Sequence, residues 1–137
     1  MKSILIAEGD DRVAELFAEL FARDGWTVTT YLDGQRAADA LGGSASYDAV
    51  LVSNRLHDMA GVELITRIRA FHHRQDVPIV MVTGTVECAV LADALAAGAD
   101  NVLYKPVDVA ILVNTVSKCV ERAGPGVSGS SLPGPIR

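Results

Sequence analysis

Five short stretches of this 137-residue chain carry side chains that can do chemistry. They are Glu8-Gly9-Asp10, Leu32-Asp33, Ser53-Asn54-Arg55, Thr83-Gly84-Thr85 and Lys105-Pro106. A carboxylate with a pKa of about 4 is ionised at neutral pH and can attack a phosphoryl group or hold a hard cation. A serine hydroxyl attacks only with a base beside it, and no histidine or second carboxylate stands near Ser53 in the sequence. Ser53 also lacks the G-x-S-x-G turn that exposes a nucleophilic serine. A bound nucleotide or flavin phosphate calls for a Gly- or Ser/Thr-rich turn after a strand. Glu8-Gly9-Asp10-Asp11 is acidic and repels phosphate. The surroundings of His57 do not match D-x-H-x-x-G, the pattern of a cobalamin site. His72 and His73 are adjacent, so they face different directions; together with Arg74 they fit the cationic end of a helix better than a metal site. Cys88 and Cys119 have no C-x-x-C spacing and are expected to be small buried hydrophobes.

These stretches are linked by a regular alternation of strand and helix. Ile4 to Ala7 is a short apolar run. Asp10 and Asp11 follow as helix caps, and Val13, Leu16, Phe17, Leu20 and Phe21 recur at helical spacing before Asp24-Gly25. Trp26 to Leu32 reads as a strand, and Asp33-Gly34 turns into a short helix through Ala37, Ala38 and Leu41. Ala49 to Val52 is a buried strand, and Gly61 to Phe71 a helix facing inward with Val62, Ile65 and Ile68, and with Leu64 as a further candidate for that face. Pro78 to Thr83 is a fourth strand, followed by a helix from Val86 to Ala97 that stops at Gly98. Asn101 to Tyr104 is a fifth strand, and Asp108 to Arg122 a last helix. Such alternation predicts an α/β fold, a parallel sheet with helices on both faces. Sites in such folds form at the carboxyl ends of the strands, where the five stretches lie.

Composition sets the outer bounds. Half of the residues are hydrophobic, which is ample for one core. A net charge of −5 argues against direct nucleic-acid binding. No stretch is long and apolar enough for a membrane helix, and the first residues do not form a signal peptide, so the expected location is cytoplasmic. Residues 1–123 read as the domain. Residues 124–137 are Gly/Pro/Ser-rich and read as a flexible tail or linker.

The order and spacing of these segments over residues 2–122 resemble the receiver domain of two-component response regulators. The resemblance rests on ILIAEGDDRVAELF, on Tyr47 to Val52, and on Met59, Gly61, Glu63 and Leu64 in an M-x-G-x-E-L pattern. It continues through Pro78 to Thr83, Ala97-Gly98-Ala99-Asp100 and Lys105-Pro106. It implies a flavodoxin-like (βα)5 sandwich with sheet order 2-1-3-4-5 and a cis Lys105–Pro106 peptide. The family's two Mg²⁺-binding carboxylates fall on Glu8 and Gly9, its phosphorylated aspartate on Ser53, its switch hydroxyl on Thr83, its aromatic switch on Val102 and its phosphoryl-binding lysine on Lys105. Asp10 comes too late in the turn to stand in, Asp48 lies at the wrong end of its strand, and Asp58 lies in the loop beyond.

The expectation is therefore an atypical receiver, not an enzyme. Its pocket of Glu8, Gly9, Asp10, Ser53, Arg55, Thr83, Val102, Lys105 and Pro106 is degenerate. No cofactor is expected, Mg²⁺ binding is lost or weak, and Lys105 takes Glu8 as counter-charge. Restoring both acids, by Ser53→Asp with Gly9→Asp, is the change expected to bring back Mg²⁺ binding and phosphorylation. The helix after the fourth strand and the last helix are more apolar than one buried stripe requires. Val86, Val90, Leu91, Tyr104 and Ile111 are thus expected to meet a protein partner, an output domain or a second copy. The alternatives are a phosphotransfer receiver with a non-standard acceptor and a small ligand-binding flavodoxin-like module.

Overall fold

The computed structural model describes residues 2–84 and 87–123. The tail 124–137 and Val86 lie outside the described residues.

β1 (Ser3–Ala7), β2 (Thr27–Tyr31), β3 (Ala49–Ser53), β4 (Ile79–Thr83) and β5 (Asn101–Tyr104) form one sheet in the order β2-β1-β3-β4-β5. Every pairing is parallel, with Ile4 opposite Ala49, Val50 opposite Ile79 and Thr83 opposite Tyr104. This is the expected fold. β3 and β4 are buried at every residue, as continuous apolar strands between two helix layers must be. β2 lies at one edge, and its residues, three of them Thr, are exposed or half-buried.

The helices are α1 (Asp11–Arg23), α2 (Gly34–Gly42), α3 (Gly61–Ala70), α4 (Cys88–Ala97) and α5 (Val109–Ala123). Alternate strand residues feed two cores. Ile4, Ile6, Leu51 and Val80 pack against Phe17 and Phe21 of α1 and Leu112, Val116 and Cys119 of α5. Leu5, Ala7, Val50, Val52 and Met81 pack against Ala37, Ala38 and Leu41 of α2, Leu64, Ile65 and Ile68 of α3, and Ala94 of α4. The period of two along each strand thus divides the apolar side chains between the layers.

Several local expectations need correction. Leu16 is about half exposed, because the buried stripe of α1 runs through Ala14, Phe17 and Phe21 instead. On α3, Val62 is only partly buried, while Leu64, the further candidate, is fully buried with Ile65 and Ile68. Cys88, at the start of α4, is exposed, and only Cys119 is buried. Arg74 does not cap α3. It sits buried in a 3-10 turn (His72–Arg74) and donates to the carbonyls of Leu41, Gly43 and Ala45, with its guanidinium over the Tyr47 ring. It thus satisfies the end of α2 and the loop after it, whose carbonyls lack partners within the helix. His73 Nε2 lies 2.9 Å from the same Gly43 carbonyl. Arg69 ties the carbonyls of Arg74, Val77 and Gly98 together, and burial lowers its pKa.

Candidate functional site

The carboxyl ends of β1, β3, β4 and β5 surround a cleft of about 550 Å³. Glu8, Gly9, Asp10, Ser53, Arg55 and Lys105 line it, joined by Asn54, Leu56, His57 and Gly84. Glu8, directly after β1, is 3% exposed. Its two oxygens are both engaged. Oε1 accepts from Lys105 Nζ at 3.1 Å, and Oε2 accepts from the Asp10 backbone N–H at 3.0 Å. The expected counter-charge for Lys105 is therefore present as a direct ion pair. Lys105 Nζ also lies 3.4 Å from Ser53 Oγ, a long contact at the floor of the cleft.

Asp10 belongs to α1 more than to the cleft. Its Oδ1 accepts from the N–H groups of Arg12 and Val13 at 2.9 and 3.2 Å, an N-cap that satisfies two otherwise orphaned donors. Thr83 ends β4 fully buried, its carbonyl accepting from the Lys105 N–H at 2.7 Å. Val102 is buried in the core beneath α4 and does not line the cleft. Pro106 is exposed, follows a cis peptide and also stays outside it.

The loop from β3 to α3 is held from three sides, which the sequence reading missed. The Asp58 carboxylate accepts from the N–H groups of Gly34 and Gln35 at 2.6 and 3.0 Å, so it caps α2 from a distant loop. The Gly34 hydrogen bond leads in holding its pKa below the ordinary aspartate value. The His57 backbone N–H donates to Leu32 O, and its ring Nε2 lies 2.6 Å from Gly9 O. A carbonyl only accepts, so Nε2 bears the hydrogen in this contact. The only sequence signal for this docking was the short polar run His57-Asp58 itself.

Gly9 carries a second consequence of that docking. A Cβ placed there would stand 2.8 Å from Arg55 O and 3.2 Å from Leu56 Cα, both backbone. Gly9→Asp therefore cannot restore a carboxylate by simple replacement. The expectation that Ser53→Asp with Gly9→Asp repairs the pocket is corrected accordingly: the Arg55–Leu56 backbone has to withdraw first.

The proposed interface residues divide. Tyr104 and Ile111 are exposed, Ile111 by 54%. Leu91 is partly buried and packs on the α2–α4 core, and Val90 is also partly buried. In place of Val90 and Leu91, Leu95, exposed by 48%, and Val109 present the apolar surface on these helices.

Comparison with known proteins places this geometry. A sequence model of the response regulator receiver domain matches residues 4–117. The transcriptional regulatory protein CseB of Streptomyces avermitilis is 30% identical over 130 residues, 95% of this chain and 54% of its own length. The chain thus spans about half the length of that relative. A response regulator from Chloroflexus aurantiacus superposes with a TM-score of 0.83 at 26% identity, covering 88% of this chain and 98% of its own. The receiver domain of the sensor histidine kinase PA1611 of Pseudomonas aeruginosa, solved with magnesium coordinated in its active-site cleft, superposes with a TM-score of 0.81 at 26% identity, covering 88% and 98%.

Proposed function

The chain belongs to the response regulator receiver domain family of two-component signalling, and we propose that it signals there by protein contact, independently of phosphorylation. The observation that carries this reading is Ser53 at the end of β3, where the resemblance puts the acceptor aspartate. A serine there needs a base. Lys105 Nζ donates to Ser53 and does not accept from it, and Glu8 is already held by Lys105 and the Asp10 N–H. His57 faces Gly9 O. On this reading the domain is not an enzyme.

Nor do the residues suit magnesium. The ion prefers near-octahedral oxygen ligation with one or two carboxylates. Gly9 offers no side chain, Asp10 is committed to the α1 cap, and Glu8 is paired with an ammonium. Loss of Mg²⁺ binding is part of the same proposal. The test is intact mass after incubation with acetyl phosphate, with and without Mg²⁺. The protein is expected to gain no phosphoryl group, and neither is Ser53→Asp alone, which returns a nucleophile without a metal to neutralise the developing charge. A phosphoryl group on the unaltered protein would overturn the reading and make Ser53, Asp10, Asp48 or Asp58 an acceptor.

The signalling face is assigned to α4, β5 and α5. Leu95, Tyr104, Val109 and Ile111 are exposed there, and among the described residues the remaining large exposed hydrophobic is Leu16. Burying one such aliphatic side chain is worth about 1.5–3 kcal/mol, so a few support a modest dimer or a docked output domain. Among the described residues no helix is long and apolar enough to cross a membrane, and a cytoplasmic site of action goes with this reading. The protein is expected to self-associate in light scattering and Ile111→Glu to reduce its mass toward the monomer. Equal masses for the two would show that this face is idle between copies.

A further inference from the structure

A groove between α1 and α5 takes no part in the cleft. It has a volume of about 460 Å³ and runs between Leu20 on α1 and Val109, Val113, Asn114 and Ser117 on α5. Leu20 and Val113 are half-buried, and Val109 is 45% exposed. Leu16 lies one helical turn before Leu20, is 49% exposed and extends the same apolar edge. The side chains of Asn114 and Ser117 have no hydrogen-bond partner among the described residues. The groove is thus apolar along its length, with two polar groups on the α5 side.

We infer that this groove holds a segment of the same chain, residues 124–137, with Leu132 and Ile136 as its anchors. Gly124-Pro125-Gly126 follows α5 directly, and glycine with proline is the pairing that ends a helix and turns the chain. A segment that turns back there runs along α5 from Ser117 toward Val109. At about 1.5 Å per helical residue, Val113 lies about 15 Å from Ala123. At about 3.3 Å per extended residue, Leu132 reaches up to about 30 Å from the same point, which covers both the turn and the return. Pro133 and Pro135 bias Leu132 and Gly134 toward extended backbone, so little freedom is lost on docking. An extended stretch has no internal hydrogen bonds, and its carbonyls match Asn114 and Ser117 as donors. Its one charged side chain is Arg137, so the protein's net charge of −5 does not repel it. Two aliphatic anchors bind weakly between separate molecules, but a short tether raises the local concentration to about the millimolar range. Because Val109 also belongs to the signalling face, the docked segment narrows that face. This consequence rests on the functional reading above, and the docking itself does not.

The test is methyl NMR on the full chain. Nuclear Overhauser contacts are expected from Leu132 to Leu20 and Val113, and from Ile136 to Leu16 and Val109, and they should survive dilution unchanged. Leu132→Ser with Ile136→Ser alters no residue of the described domain. It is expected to abolish these contacts and to move the Leu20 and Val113 methyl signals. Val109→Asp, at an exposed position, is expected to abolish the Ile136 contacts from the groove side. Contacts that fade on dilution would overturn the inference and make a second copy the occupant. Groove signals that stay in place in the double variant would overturn it as well, and so would Leu132 contacts to Leu95 and Tyr104 in place of Leu20 and Val113. The readout involves neither phosphorylation nor a separate partner, so a failure here leaves the functional reading to its own mass assay.

Discussion

Gly61→Ala is expected to destabilise the fold by about 3 kcal/mol, the upper range for overpacking a closed site. Gly61 opens α3 beneath the cleft. It is buried, and its N–H donates to Asn54 O at 2.9 Å. A Cβ there would stand far inside van der Waals contact with the Ser53 carbonyl oxygen, with Asn54 Cα and Met81 Cε both at 3.0 Å. The Met81 side chain can turn away. The Ser53 carbonyl is held more firmly, because Ser53 ends a central strand and stays in register with Val82 of β4. Gly61 is thus the point where α3 rests on the floor of the site, and the cost falls on the position of Ser53. Urea unfolding measures the loss, and Gly84→Ala is the control, since a Cβ at Gly84 meets nothing within 4 Å. Equal midpoints for the two variants would mean that the end of β3 yields easily.

Lys105→Ala is the second large effect, at about 3 kcal/mol. The substitution leaves a carboxylate that is 3% exposed with the Asp10 N–H and no cation. Losing one partner of a buried pair costs more than the pair contributes, because the remaining charge stays desolvated. The Lys105 side chain is 29% exposed, so water entering the gap keeps the loss at the low end of the 3–5 kcal/mol range found for such pairs. Glu8→Gln added to Lys105→Ala is expected to recover most of the stability, since a neutral amide needs no counter-ion. A double-mutant cycle by chemical denaturation decides this. If the single variant loses under about 1 kcal/mol, the pair behaves as a solvent-screened surface bridge.

The two effects concern residues of different visibility. Lys105 and Glu8 can be matched from sequence because each ends or follows a strand, and strand ends in a parallel sheet meet along one edge. Gly61 stands in a recognisable M-x-G-x-E-L pattern, but nothing local shows that its missing side chain makes room for a carbonyl eight residues earlier.

By itself the sequence determined the five strands, the placement of helices between them and the side of the sheet on which Glu8, Ser53 and Lys105 gather. Apolar runs, caps and turn residues encode those features locally, and each acts over a few positions. The tertiary structure alone decided which of several apolar residues on one helix is covered, leaving Leu16 and Leu95 exposed while Leu91 packs inward. It also decided that Asp58 caps α2 across 24 positions, that Arg74 satisfies carbonyls some 30 positions away, and that the backbone at Arg55 closes the space above Gly9. Those contacts join chain segments whose distance is set by how the layers stack, and hydrogen-bond partners between loops leave no period in the sequence to read.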